Sequence, residues 1–463
     1  MPRKRRSSKG SKAVASLVSN EPLDSLERDA VSTFFAGKSL FLTGATGFLG
    51  KVRTAASLCG RVPQVPPRHP LRAAPAAAAV SLDPRRNAGA LFCLRSPPAF
   101  RPPSLQVMIE KLLRSTPDIG TIYVLVREKK RGKEIWSAQR RLNEELLNSR
   151  VFARVKQAYP EFGRKIVGVT GDISAPGLGL SQADHDAIVD NVTVVLHMAA
   201  TVNFTEPIKN AHELNIEGMR KVMSLAQEIH ETGRLKSVVH TSTCYVNSLH
   251  YHLEGAPELC REELVPWEHD YAEFEEECKA LTKGADEKAK TPGMLAKYGR
   301  PETGSWPNTY TITKRIAEEV LRVEFAEADP TFPISVVRPS IIGPALYEPM
   351  PGWGDAMSCV AGPLLGAWIG VLHAFPCDST MIFDFVPVDL VSNAILVSAW
   401  HRAAADEGEI EALLSSDDAA TVAVWGAGRV EPEARIARTE FDGVAMVPSD
   451  VPVVQVSVMY RSI

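Results

Sequence analysis

Six short apolar runs recur along the chain, each closed by a small or polar residue. They are "KSLFLTG" at 38–44, "TIYVLVR" at 121–127, "KIVGVTGD" at 165–172, "VTVVLHMAA" at 192–200, "LKSVVHTST" at 235–243 and "FPISVVRPS" at 332–340. They are rich in Val and Ile and nearly continuous in hydrophobicity, as strands covered on both faces are. Between them, apolar residues return at helical spacing over 107–115, 136–158, 181–190, 208–232 and 309–328. This alternation predicts an α/β fold, a Rossmann-like, doubly wound parallel sheet with helices on both faces. The glycine turn after the first run places a nucleotide at that strand's carboxyl end.

Two segments break the rhythm. Residues 53–106 hold eight Arg, ten Pro, no Lys and one acid, Asp83, with neither a 3.6 nor a 2.0 period. A structureless stretch of that length counts against a native element inside a compact domain, and it reads as a disordered insertion. Residues 401–463 carry only weak patterns, "EGEIEALLSSDDAA" and "VPVVQVSVMY", with no evident fold of their own. The expected organisation is a basic, disordered tail and lead-in over 1–36, a nucleotide-binding domain over 37–400, and a remnant over 401–463. The most apolar window, 356–375, reaches the length of a membrane span. Its glycines, proline and middling hydropathy suit a buried or membrane-touching helix better than a crossing.

Composition adds limits. The 463 residues are 45% hydrophobic and 23% charged, enough for a large core. The net charge of −3 gives no global bias toward nucleic acid. Arg3, Lys4, Arg5, Arg6, Lys9 and Lys12 open the chain without an apolar run behind them, so no secretory signal is read there. The seven cysteines are scattered and form no C-x-x-C. That usage suggests a reducing, intracellular compartment, with neither disulfide framework nor zinc site.

Three constellations carry chemistry. The first is Thr43-Gly44-x-x-Gly47-x-x-Gly50, a turn that also contains Thr46, Phe48 and Leu49. Gly44 permits the tight turn, Gly47 lets backbone approach a pyrophosphate, and Gly50 lets helix pack on strand. The second ends the second strand in "VLVREKK". Arg127, with Lys129 and Lys130, suits a 2′-phosphate and so NADPH, while Asp172 after the third strand is placed to meet the adenine. The alternatives are a solvated basic loop and a plain loop aspartate. The third is "YTITK", in which Tyr310 and Lys314 share one helix face at i, i+4. A neighbouring ammonium stabilises phenolate, lowering a tyrosine from its usual pKa of about 10 toward use as a general acid. Ser242 and Thr243 end the fifth strand, where a hydroxyl can hold a substrate carbonyl or, more plainly, bond the backbone.

Together these segments resemble the extended short-chain dehydrogenase/reductase superfamily and, within it, the fatty acyl-CoA reductases. The resemblance rests on "GATGFLGK", "IEKLLRSTPDIGTIYVLVREKKRGK", "GDISAPGLGLS", "VLHMAATVNFTEPIKNAHELNIEGMRKVMSLA", "HTSTCYVNS", "YTITKRIAEEVL", "SVVRPSIIGPALYEPMPGWGD" and "DFVPVDLVSNAILVSAW". It implies NADPH-dependent reduction of long-chain acyl-CoA, through aldehyde to fatty alcohol, with release of CoA. Ser242 or Thr243 and Tyr310 would hold the thioester carbonyl, and Lys314 would bind the nicotinamide ribose. Ala199, Ala200 and Asn203 match the stretch that walls the cofactor, Asn215 the position that supports the site, and Arg338-Pro339-Ser340 the loop closing over the nicotinamide end. Other superfamily members are thioester reductase domains and sugar-nucleotide epimerases. The resemblance also implies a cytoplasmic site or peripheral contact with an organelle membrane, endoplasmic reticulum or peroxisome, and leaves oligomeric state open.

The chain departs from the family pattern twice. Members carry a C-terminal helical domain, to which the residues after Trp400 do not match. And deleting 52–106 leaves "GATGFLGKVMIEKLLRSTPDIGTIYVLVR", an unbroken turn, helix and strand. Val52 and Gln106 bound the piece. Valine codons begin GT and a glutamine codon is CAG, the letters at an intron's ends, so an in-frame retained intron is the expectation. The alternatives are a disordered loop peculiar to this chain and an inactive, mis-spliced product.

Overall fold

The computed structural model describes residues 30–44, 103–249, 262–301, 303–354, 361–368, 370, 372–373, 383–406, 453–456 and 458–460. Seven parallel strands form the main sheet: β1 (Ser39–Thr43), β2 (Ile122–Val126), β3 (Ile166–Thr170), β4 (Val192–His197), β5 (Ser237–Thr241), β6 (Ile334–Pro339) and β7 (Val453–Val456). Their order is β3-β2-β1-β4-β5-β6-β7, so the direction of winding reverses between β1 and β4. A crevice opens at the carboxyl ends of the strands at such a reversal, and ligands of doubly wound sheets bind there.

The near-continuous hydrophobicity of the strands has a direct cause in packing. In β1, Leu40 and Leu42 enter one buried cluster while Phe41 enters the other. The first cluster is completed by α1 (Pro103–Ser115), the lead-in helix Ala30–Phe35 and a late helix, Val388–Asp406. The second is completed by α2 (Gln182–Asn191), α3 (Gly218–Glu231) and α4 (Thr309–Val320). The late helix, Val388–Asp406, is α5. Each Leu, Ile or Val buried in this way contributes about 1.5–3 kcal/mol.

All six expected strands form, each within three residues of the expected ends. Three findings differ from expectation. Helix α1 begins at Pro103, four residues before the predicted 107, with Leu105 and Gln106 buried. Proline suits a first helical position, because the amide hydrogen it lacks would have no partner there. The end of the predicted insertion therefore builds the first turn of a core helix, and only its earlier part lies outside the described residues. Second, Val453–Val456, from the segment without evident fold, pairs in parallel with β6 as an edge strand. Third, between β5 and α4, where no element was expected, the chain forms helices Tyr271–Ala280 and Ala285–Lys297. Of the apolar window 356–375, Ala361–Trp368 is helical. Among the described residues no helix is long and apolar enough to cross a membrane.

Helix α1 is fastened by charge to the stretch that follows β6. Arg114 pairs with Glu110 at 2.9 Å and with Glu348 at 3.2 Å, and Lys111 meets Glu348 at 2.6 Å. Burial alone would raise the Glu348 carboxyl, but Lys111 and Arg114 outweigh it and carry its pKa down to about 2. The backbone N–H groups of Leu346, Tyr347 and Glu348 donate to the carboxylate of Asp389 in the first turn of α5, at 2.9, 2.8 and 3.1 Å.

Candidate active site

At the end of β1, Gly44 adopts φ +103°, a left-handed value that favours glycine. A Cβ there would sit 3.0 Å from the Met198 carbonyl carbon and 3.1 Å from the Ala199 nitrogen. A side chain at Gly44 would therefore be crowded against the end of β4 as well as strained by its φ. Thr46, Gly47, Phe48, Leu49 and Gly50 lie outside the described residues. Ala199 and Ala200 follow β4 and are half-buried.

A polar row crosses the sheet just beneath. Thr43, His197 and His240 are register partners on β1, β4 and β5. Thr43 Oγ1 lies 2.7 Å from His197 Nδ1, and the rings of His197 and His240 stack with centroids 5.2 Å apart. The Ala199 N–H donates to Thr43 Oγ1 at 3.4 Å, so the same hydroxyl ties the end of β1 to both the His197 ring and the main chain after β4. Burial, then the charge of Lys314, pushes His197 down to about 3, and the same causes hold His240 well below its usual value. Both rings are neutral. The sequence reading missed them. The signal available was a histidine closing each of two successive apolar runs.

Helix α4 delivers the tyrosine and lysine. Asn308 caps it, accepting from the Thr311 N–H at 2.9 Å. Lys314 is 2% exposed and donates to the carbonyl of Thr241, at the end of β5, at 2.8 Å. Burial lowers its pKa to about 8, against the opposing charge of Glu318 one turn on. Tyr310, one turn before Lys314, is half-buried and tilts against Phe204, ring centroids 5.9 Å apart.

The two hydroxyls after β5 separate. Thr243 Oγ1 donates to the carbonyl of Pro339 at 3.4 Å and accepts from the Tyr245 N–H at 3.3 Å, capping the short turn Cys244–Asn247. That is the backbone role weighed as the plainer alternative. Ser242 Oγ is buried and has no hydrogen-bond partner among the described residues. Its main chain is held by an N–H bond to Val337 O at 2.8 Å.

Asn215 lies in a π-turn, Glu213–Glu217. The wider turn shifts the helical phase, and such turns recur at functional sites. Its amide bonds both backbone groups of Thr201 at 2.8 and 3.2 Å, and Thr313 Oγ1 on α4 at 3.0 Å. The loop after β4 is thereby locked to the helix carrying Tyr310. Asn203 organises the same loop through Thr205 and Glu206.

The two arginines are held differently. Arg338 does not reach toward a cofactor: it is 2% exposed, and its guanidinium is engaged by Glu318 at 2.9 and 2.6 Å and by Glu263 O at 3.0 Å. Pro339 ends β6 and accepts from Thr243. Arg127 meets the other candidate ligand, Asp172, at 3.5 Å, with both side chains about a third exposed. Lys129 turns to Glu145 at 3.2 Å, so part of the basic loop is already neutralised. Away from these strand ends, His212, Glu217 and Glu275 gather within 4.8 Å. Arg220 already pairs with both carboxylates, at 2.5 and 2.8 Å.

A parallel sheet in this order, a glycine turn packed against the end of β4, and a Tyr/Lys helix on the β5 end define a Rossmann-type reductase domain. The chain belongs to the NAD-binding male sterility protein family, whose sequence profile matches residues 106–395, well over half of its length. The domain is therefore one for a nicotinamide cofactor, and the Gly44 cradle, the small Ala199 and Ala200 and the buried Lys314 fit that group. The chain is 36% identical over 298 residues to the fatty acyl-CoA reductase wat of Drosophila melanogaster, covering 64% of this chain and 52% of that protein. It is 30% identical over 372 residues to fatty acyl-CoA reductase 1 of Mus musculus, covering 80% and 56%. The chain thus spans about half the length of the curated relatives it matches. Among solved structures, the terminal R domain of the myxalamid PKS-NRPS pathway superposes with a TM-score of 0.43 at 20% identity, covering 78% of this chain and 62% of that one.

Proposed function

We propose that the protein reduces long-chain acyl-CoA with NADPH, releasing CoA and yielding the aldehyde and then the fatty alcohol. The observation that carries this reading is Ser242, a buried unpartnered hydroxyl placed beside the strand end that Lys314 grips, within a chain related to fatty acyl-CoA reductases. Bound NADPH supplies the hydride. Ser242 donates to the thioester carbonyl oxygen and fixes it. Tyr310 gives that oxygen a proton as charge develops on it, and Lys314, cationic at neutral pH, stabilises the phenolate left behind. The resulting hemithioacetal breaks its C–S bond, with the proton returning to the CoA thiolate. A second round converts aldehyde to alcohol with the same donors. Arg127 is the residue for the 2′-phosphate, exchanging Asp172 for the phosphate when the cofactor binds.

NADPH oxidation with palmitoyl-CoA tests the proposal, with product analysed as aldehyde or alcohol. A chain that binds NADPH yet turns over no acyl-CoA would sink the substrate, and full activity in Tyr310→Phe would sink the acid.

We also propose that the working enzyme lacks residues 52–106. The family match begins at residue 106, where that segment ends. Sequencing the mature transcript across Lys51 and Val107 decides this: codons for 52–106 in the dominant message would refute it.

A further inference from the structure

We propose that Phe204 is a substrate-contacting residue. Its ring walls the acyl side of the carbonyl that Tyr310 protonates and so favours long apolar chains over short ones. The inference rests on the function proposed above and deepens it.

Phe204 is 59% exposed, one of the few large apolar side chains so placed among the described residues. A single exposed apolar residue on a loose loop would need no explanation. This loop is not loose. Thr201 is bonded through both backbone groups to Asn215, which also bonds Thr313. Five residues on, the carbonyl of Glu206 accepts from Thr309 Oγ1 at 2.8 Å. Between these ties the Asn203 side chain accepts from the Thr205 N–H and hydroxyl, at 3.2 and 3.0 Å. Both flanks of the loop are thus fixed to α4, the helix of Tyr310. Phe204 sits at its tip, ring centroid 5.9 Å from that of Tyr310 and planes 32° apart. The fold holds an unburied ring in a fixed place beside the proposed acid, where a bound molecule would cover it.

The chemistry of the substrate selects what covers it. The carbonyl carbon bears sulfur on one side and a methylene on the other. Beyond the sulfur lie amides and phosphates, which call for donors and cations. Beyond the methylene lies only hydrocarbon. A phenyl ring without a polar group matches the hydrocarbon, because burying each against the other removes apolar surface from water.

The test is binding of S-hexadecyl-CoA, a thioether that cannot be reduced, to the full chain, compared with S-ethyl-CoA and with NADPH. Phe204→Ala is expected to weaken S-hexadecyl-CoA about tenfold, equivalent to 1.4 kcal/mol at 25 °C. S-ethyl-CoA and NADPH should stay within about twofold, since neither relies on the contact. Phe204→Leu should recover most of the loss, and in turnover the alanine variant should raise KM for palmitoyl-CoA more than it lowers kcat. Unchanged affinity for S-hexadecyl-CoA, or equal losses for all three ligands, would overturn the assignment. A wild-type chain that binds NADPH but neither thioether would instead overturn the proposed substrate.

Discussion

Arg338 lies in β6 and Arg127 just past the end of β2, and each meets a carboxylate, but the two pairs are different devices. Arg338 and Glu318 are 2% and 1% exposed and joined by two bonds, so neither can part from the other without leaving a charge stranded in the interior. Arg127 and Asp172 touch at 3.5 Å with 38% and 31% of their side chains in solvent. Water can replace either partner there, and so can a phosphate. The same residue types give an anchor in one place and an exchangeable binding group in the other. Burial makes that difference.

The largest effect should come from breaking the anchor on one side only. Glu318→Gln strands a buried guanidinium and should cost about 3–5 kcal/mol, read by thermal or denaturant unfolding. Replacing both partners with apolar residues, Arg338→Met with Glu318→Leu, should return most of that stability. A single variant as stable as the wild type would erase the contrast drawn above. Next, Tyr310→Phe changes the helix that Glu318 anchors without touching the anchor. It should leave unfolding nearly unchanged and lower kcat/KM by about 10²- to 10⁴-fold.

Arg127→Ala should do the reverse of the Glu318 variant. Stability should move by less than about 1 kcal/mol, while KM for NADPH rises roughly ten- to a hundredfold, as loss of a charge-assisted bond implies, and KM for NADH stays put. Equal effects on both cofactors would remove the 2′-phosphate from the account. The gentlest prediction concerns pH. Lys314 is faced by neutral His197 and His240 from the strands and by Glu318 on its own helix, with its pKa lowered to about 8. Its cation is present below that value and lost above it. The profile of kcat/KM should therefore be level approaching 8 from below and fall with rising pH beyond it, by at most about tenfold per unit. A profile level to pH 10 would show that the lysine charge is not needed.

The architecture was readable because six strands buried on both faces write themselves as apolar runs, and their helices carry a clear 3.6 period. Val453–Val456 was not, because an apolar run far along the chain gives no sign of which strand will accept it. The helix at Tyr271–Ala280 was hidden for another reason: its few core residues, Phe274 and Cys278, sit among glutamates that blur the period. Ala285–Lys297 contains Pro292 and Gly293, which argue locally against a helix. At the site, Tyr310 and Lys314 were legible from one-turn spacing. The separation of Ser242 from Thr243, and the loss of Arg338 to Glu318, depend on contacts across about a hundred or twenty residues, which no local pattern encodes.

The carboxylate of Asp389 has a consequence for hydrogen exchange. Loop amides usually trade their protons with solvent quickly, since they open without disturbing the core. Those of Leu346, Tyr347 and Glu348 are held by a single buried side chain from α5, itself packed into the first core cluster together with α1. They can exchange only when that helix moves, so their deuterium uptake should follow the slow rhythm of the core. The stretch that follows β6 would then open together with α5 and the first core cluster rather than as an independent loop.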